Sequence, residues 1–364
     1  MLQLKPQTLN TIRLSQALSL SKLSALCGIS TAILSRIEQG QRPAKESEIT
    51  ALSQSLSVSS SALCKTLVSQ RFGLSSFYHR KLASAPSKNV NAIQSHCLLG
   101  ATAVHQLLDL SSLDLPDYKN IIDIDDLDND VAKIANVLRL AWQLPRGPIQ
   151  DLCKVIEDHG CVIVHKKFNV SKIDALYQKA PNMPPIFWVN SSKPLDRVRF
   201  SLAHELGHLI LHEQCPKDEK QAEVEADEFA ANFLMPRSDF RSELPSRLNM
   251  PQLIALKSRW RCSMSAMMMR ARQINRIDDR QYKNLMIQLS KNGWRKHEPN
   301  PISGESPQLL AKLIQNCLST SQLTITGLAE LISFPANQLQ DWLQPIPQFA
   351  SHKDDSPKLR YIAA

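Results

Sequence analysis

The sequence predicts a mainly α protein with an α+β unit at its centre, a small sheet flanked by helices, and an all-α helix-turn-helix unit at its N-terminus. Three observations carry this. Residues 9–63 place apolar side chains three and four apart, with glycines where helices must stop. "CVIVHKK", "DALYQK" and "PPIFWVN" are short β-rich runs separated by turn residues. Two long helical segments, 195–212 and 219–234, follow them directly.

Length and composition set the frame. A chain of 364 residues is too long for one typical core, so two or three domains are expected. A 43% hydrophobic and 21% charged composition is ordinary for a soluble protein. No run of about 18 apolar residues supports a membrane span, and the N-terminus lacks the apolar stretch of a signal peptide. Eight scattered cysteines with no CxxC pair suit reduced thiols in a cytoplasm. The formal charge of +9 is segregated. Residues 241–300 hold 13 basic against four acidic side chains, whereas residues 109–130 hold eight aspartates and one lysine. Such a balance favours polyanion contact.

In the first unit, Leu23, Leu26, Ile29, Ile33 and Ile37 keep helical spacing. Gly28 allows the left-handed turn between two helices, Ser30 caps the second, and Gly40 with Pro43 ends it. Residues 66–128 read as a helical and acidic connector. Within it "DIDDLDNDVAK" lacks the glycine and final glutamate of a calcium loop and reads as a solvated, helix-initiating turn. Residues 129–245 form the α+β unit, beginning with the amphipathic "VAKIANVLRLAWQL". Residues 246–300 are a basic, helix-turn-helix-like region, and 301–364 a C-terminal helical region with a pair around Phe334-Pro335.

The chemistry is concentrated in "AHELGHLILH", residues 203–212. Side chains four apart on a helix share a face, so His204 and His208 can reach one ion. Glu205 projects beside them and can hold a metal-bound water without being a ligand. A hydrolytic zinc site needs a third protein ligand and an open position. "EVEADEFAANFLMP" supplies it. Glu225 shares an inward stripe with Phe229 and is placed first as ligand, with Glu223 second. His212 is read as structural or as supporting the ligands, and Cys215 as an ordinary thiol.

"RVRFSLAHELGHLILH" followed by "EVEADEFAANFLMP" resembles the ImmA/IrrE family of metallopeptidases, over roughly residues 130–300. Residues 9–63 separately resemble the Xre/Cro-type helix-turn-helix, with Lys22 near the position where that family usually has glutamine. The resemblance implies a gluzincin-like fold, Zn2+ on His204, His208 and Glu225, and Glu205 as general base. It also implies cleavage of a partner, an Xre-type repressor, to control transcription in a mobile-element, stress or toxin–antitoxin-like module. In a helix-turn-helix the second helix leads into the major groove, here with Ser30, Thr31, Ala32, Ser35 and Arg36. Arg36 is the guanine-reading candidate, while Gln39, Gln41, Arg42 and Lys45 suit phosphates. The expected partners are double-stranded DNA and a protein substrate, with a homodimer as an option and no membrane. A peptide substrate is expected to pair with an edge strand such as "PPIFWVN". The alternative is a DNA-binding regulator whose zinc domain senses or scaffolds without proteolysis.

Overall fold

The structure is a computed structural model, and it describes residues 3–68, 71–72, 87–118, 122, 127–168, 173–213, 218–295 and 297–346. Much of the acidic stretch (123–126), Cys215 and the chain beyond 346 lie outside the described residues. Asp130, at the end of that stretch, does start a helix, accepting from the Lys133 amide at 3.0 Å.

Five helices open the chain: α1 (Pro6–Ser15), α2 (Leu20–Cys27), α3 (Thr31–Glu38), α4 (Glu46–Leu56) and α5 (Ser60–Cys64). Leu9, Leu23, Leu34, Ile37, Leu52 and Leu63 make their core. Helices α2 and α3 are bent through 113° about Gly28, whose φ of +71° is cheap only without a Cβ. Ser19 and Ser30 cap the two helices by accepting from Lys22 and Ile33 amides. The angle and the short turn are those of a helix-turn-helix. Buried Arg13 donates to both Glu38 oxygens, at 2.6 and 2.8 Å, tying α1 to α3.

The sheet is mixed and four-stranded, in the order β1-β3-β4-β2: β1 (Arg71–Phe72), β2 (Val162–Lys166), β3 (Ala175–Lys179) and β4 (Ile186–Asn190). β4 runs parallel to β2 and antiparallel to β3. Both faces are covered, which explains the near-continuous apolar runs. Val162, Val164, Leu176, Ile186 and Trp188 face α6 (Ser87–Leu110) and three C-terminal helices, α15 (Leu309–Ser321), α16 (Ile325–Ile332) and α17 (Ala336–Leu343). Ile163, Tyr177, Phe187 and Val189 face the larger core.

That larger core is built by α7 (Val131–Ala141), α8 (Leu152–Asp158), α9 (Leu195–Leu211), α10 (Glu219–Leu234), α11 (Arg237–Glu243), α12 (Met250–Trp260), α13 (Met264–Gln273) and α14 (Asp279–Lys291). Beneath the sheet, α9 and α10 pack closely: a Cβ on Gly207 would sit 3.0 Å from the Phe229 ring. Between them and the C-terminal segment, Arg199 and Glu305 form an ion pair that is 1% and 0% exposed. Among the described residues no single helix is long and apolar enough to cross a membrane.

One expectation is overturned here. "PPIFWVN" is not an edge: β4 is hydrogen-bonded on both sides, by β3 and β2, so no peptide can pair with it. Its runs of buried side chains, IFWVN without an exposed position, are those of a central strand.

Candidate metal centre

The site grows from the register of two helices. On α9, His204 and His208 stand one turn apart with ring centroids 4.8 Å from each other. α10 carries its buried stripe on Ala222, Ala226, Phe229, Ala230 and Phe233. Successive residues turn by about 100°, so Glu223 and Asp227 flank one side of that stripe and Glu225 the other. The packing of Phe229 against Gly207 then sets the phase that brings Glu223 and Asp227 to the imidazoles.

The outcome differs from the sequence expectation at one position. The carboxylate brought to the two histidines is Glu223, whose Oε1 lies 3.1 Å from His208 Nε2 and 3.8 Å from His204 Nε2. Glu225 points inward but meets His212, with Oε2 3.0 Å from its Nε2, and accepts from Gln221 at 2.7 Å. His212 in turn places Nδ1 3.0 Å from His208 Nδ1. It therefore supports His208 from behind. Asp227 plays that part for His204, with Oδ1 2.8 Å from Nδ1. Asp227 belongs to the same acidic segment as Glu223. Its spacing of four from Glu223 was the signal that both would face one helix.

Three candidate ligand atoms thus converge: His204 Nε2, His208 Nε2 and Glu223 Oε1, with the two nitrogens 3.1 Å apart. A point equidistant from atoms separated by 3.1, 3.1 and 3.8 Å lies about 2.0 Å from each, which matches zinc–nitrogen and zinc–oxygen bonds. The donor set therefore fits a divalent cation. Electrostatics agree. Burial disfavours charge on His204, yet hydrogen bonds to Asp227 and Glu223 and the nearby Glu205 push it up to about 10. Burial takes His208 down to about 4. The surrounding carboxylates favour positive charge at this spot.

Glu205 is buried beside His204 and lines a cleft of about 960 Å³ together with His204 and Asp227. Its charge reaches Tyr177, whose hydroxyl is shifted upward first by burial and then by Glu205. Phe200, one turn before His204 on α9, also lines the cleft, with Met269, Tyr282, Arg295 and His297. Lys257 lies in the wall as well, but Asp196 and Glu298 hold it at 2.6 and 2.8 Å. Asp174 and Ala175, at the start of β3, close the cleft on the sheet side.

Far along the chain, Thr31, Ala32, Arg36 and Gln39 share the exposed face of α3. Ser30 is its cap, and the half-buried Ser35 hydroxyl accepts from Gln39 at 3.2 Å. Arg42 is engaged differently from expectation: it donates to both Glu48 oxygens at 3.0 and 3.1 Å, which neutralises it. Several basic residues of 241–300 are also used internally. Arg270 donates to Asn232 and the Met235 carbonyl, Arg276 to Leu244 and Arg241 to Ile274.

Residues 156–272, which hold all these ligand candidates, match the peptidase family model described as the IrrE N-terminal-like domain. The match supports a metallopeptidase-type function for this part of the chain. No curated protein matches the sequence.

Proposed function

We propose that the chain is a zinc-dependent endopeptidase fused to a DNA-binding unit, and that it hydrolyses a protein partner, an Xre-type repressor. The observation that carries this reading is the convergence of three ligand atoms at one edge of a peptide-sized cleft, with a buried glutamate alongside. Zn2+ would be held by His204, His208 and Glu223. When bound, it supplies Lewis-acid polarisation of the scissile carbonyl and acidifies solvent.

The chain's own residues do the rest. Asp227 and His212 orient the two imidazoles through their Nδ1 atoms, so that both Nε2 atoms turn toward Glu223 and can coordinate. Glu205 takes the proton of the attacking water as the carbon–oxygen bond forms. It then delivers that proton to the amine nitrogen as the carbon–nitrogen bond breaks. The substrate strand pairs along the outer side of β3. There, among the described residues, β1 pairs with Gln178 and Lys179, and Ala175 lines the cleft. Residues 129–245 form the catalytic unit in this reading and 1–65 the DNA-binding one. Helix α3 enters the major groove with Thr31, Ala32 and Arg36 foremost, Ser30 and Ser35 beside them, and Gln39 on phosphate. Arg42 joins only by releasing Glu48.

The test is co-expression with an Xre-type repressor encoded beside this chain, comparing the wild type with Glu205→Gln. The substitution leaves all three ligands in place, so cleavage is lost while bound zinc is unchanged. If both forms leave the repressor intact yet bind its operator, the chain is a regulator with a non-catalytic metal domain.

A further inference from the structure

A second cavity, of about 370 Å³, shares no lining residue with the cleft. Five separate parts of the chain line it: α1 through Ile12, α5 and its flanks through Ala62 and Lys65, α6 through Ala92 and His96, the end of β2 through Lys166, and the α16–α17 turn through Phe334. Its size falls within the range of small-molecule sites, about 300–1,000 Å³.

The charge of this wall is one-sided. Lys65, Lys166 and Lys167 line it beside His96, which burial takes down to about 3 and so keeps neutral, and no aspartate or glutamate does among the described residues. Lys65 is occupied, donating to the Leu331 carbonyl at 2.7 Å. Lys166 is half-buried, and Asp341, the acid that acts on it, stands outside the lining. A further polar atom of a lining residue that can donate, His96 Nε2, is buried without a hydrogen-bond partner. Buried polar groups are normally paired, so such an orphan calls for an explanation. The remaining surface is mostly apolar, from Ile12, Ile93, Phe168 and Phe334.

We propose that this cavity binds a small organic anion with an apolar body, its charge held by Lys166 and its body against Phe168 and Phe334. A carboxylate, sulfonate or phosphate meets the cationic wall equally well, and an apolar scaffold replaces water on the aliphatic surface. The wall combines the N-terminal helical unit with the C-terminal helices, so occupancy clamps the first against the second.

The experiment titrates the full chain with anilinonaphthalene sulfonate and with phenylnaphthylamine, which has the same rings and no charge, following fluorescence. The sulfonate is expected to saturate one site and to bind at least about tenfold more tightly than the neutral probe. Lys166→Met is expected to abolish that preference by weakening the sulfonate alone, and Ala92→Phe, which fills the cavity, to weaken both. Equal affinity for the two probes, sulfonate binding unchanged in Lys166→Met, or no saturation up to about 1 mM would each overturn the proposal. Should Ala92→Phe fail to fold by circular dichroism, Lys166→Met decides alone.

Discussion

Replacing Glu223 and Glu225 separately by glutamine separates geometry from sequence pattern at the metal centre. Glutamine keeps the shape of the side chain and removes its charge. Glu223 Oε1 is one of the three converging ligand atoms, whereas Glu225 touches His212 and reaches the centre only through His212 and His208. Four-ligand zinc sites bind with roughly 10–16 kcal/mol, so one position corresponds to about 3 kcal/mol, or more than a hundredfold in affinity. Partners behind the ligands are worth about 10–100-fold, and Glu225 stands one step further out, so about tenfold is its ceiling. Chelator competition at fixed pH, with elemental analysis of the purified variants, measures both. Glu223→Gln is expected to lose zinc at chelator concentrations that leave Glu225→Gln loaded. If Glu225→Gln loses as much metal as Glu223→Gln, the assignment built on the helix register is refuted.

Three other perturbations test the scaffold around the site. Glu157, on α8, is buried against the start of α15 and accepts from the Gln308 amide, and burial raises its pKa to about 7. The folded chain therefore holds that proton more tightly than the unfolded one. This contribution is complete below about pH 4.5 and is lost as pH rises through 7, worth about 3 kcal/mol in total. Urea melts of Glu157→Gln should lack this decline, and an unchanged pH profile would contradict it. The Arg199–Glu305 pair is almost fully buried, so Glu305→Ala should destabilise by about 3–5 kcal/mol, while the apolar double replacement Arg199→Met/Glu305→Met recovers most of it. Equal losses in both variants would contradict the account. Gly207→Ala gains helix propensity of about 1 kcal/mol but forces the Phe229 ring away, a cost of about 1–3 kcal/mol. Thermal melting should show a net loss, together with weaker metal retention as α10 shifts; a gain would show that the helices separate freely.

Local features were legible because their causes are local. Ser19, Ser30 and Asp130 cap helices with their own side chains a few residues on, and Gly28 turns the chain where a left-handed backbone is needed. The spacing of His204 and His208 places both rings on one face by helix geometry alone, and Glu205 follows wherever His204 goes. These statements need no neighbour.

What required the tertiary structure was every relation between elements. An inward stripe names Glu225, but a stripe has two flanks, and only the seating of Phe229 on Gly207 selects the one that carries Glu223 and Asp227. The apolar run of β4 reads the same for an edge or a centre; its two hydrogen-bonded neighbours decide. Arg42 becomes a partner of Glu48 through a loop whose course no periodicity encodes. Backbone preferences and side-chain periodicity act within a turn or two of chain, whereas rotation about a helix axis, strand order and the union of distant walls into one cavity are settled by packing.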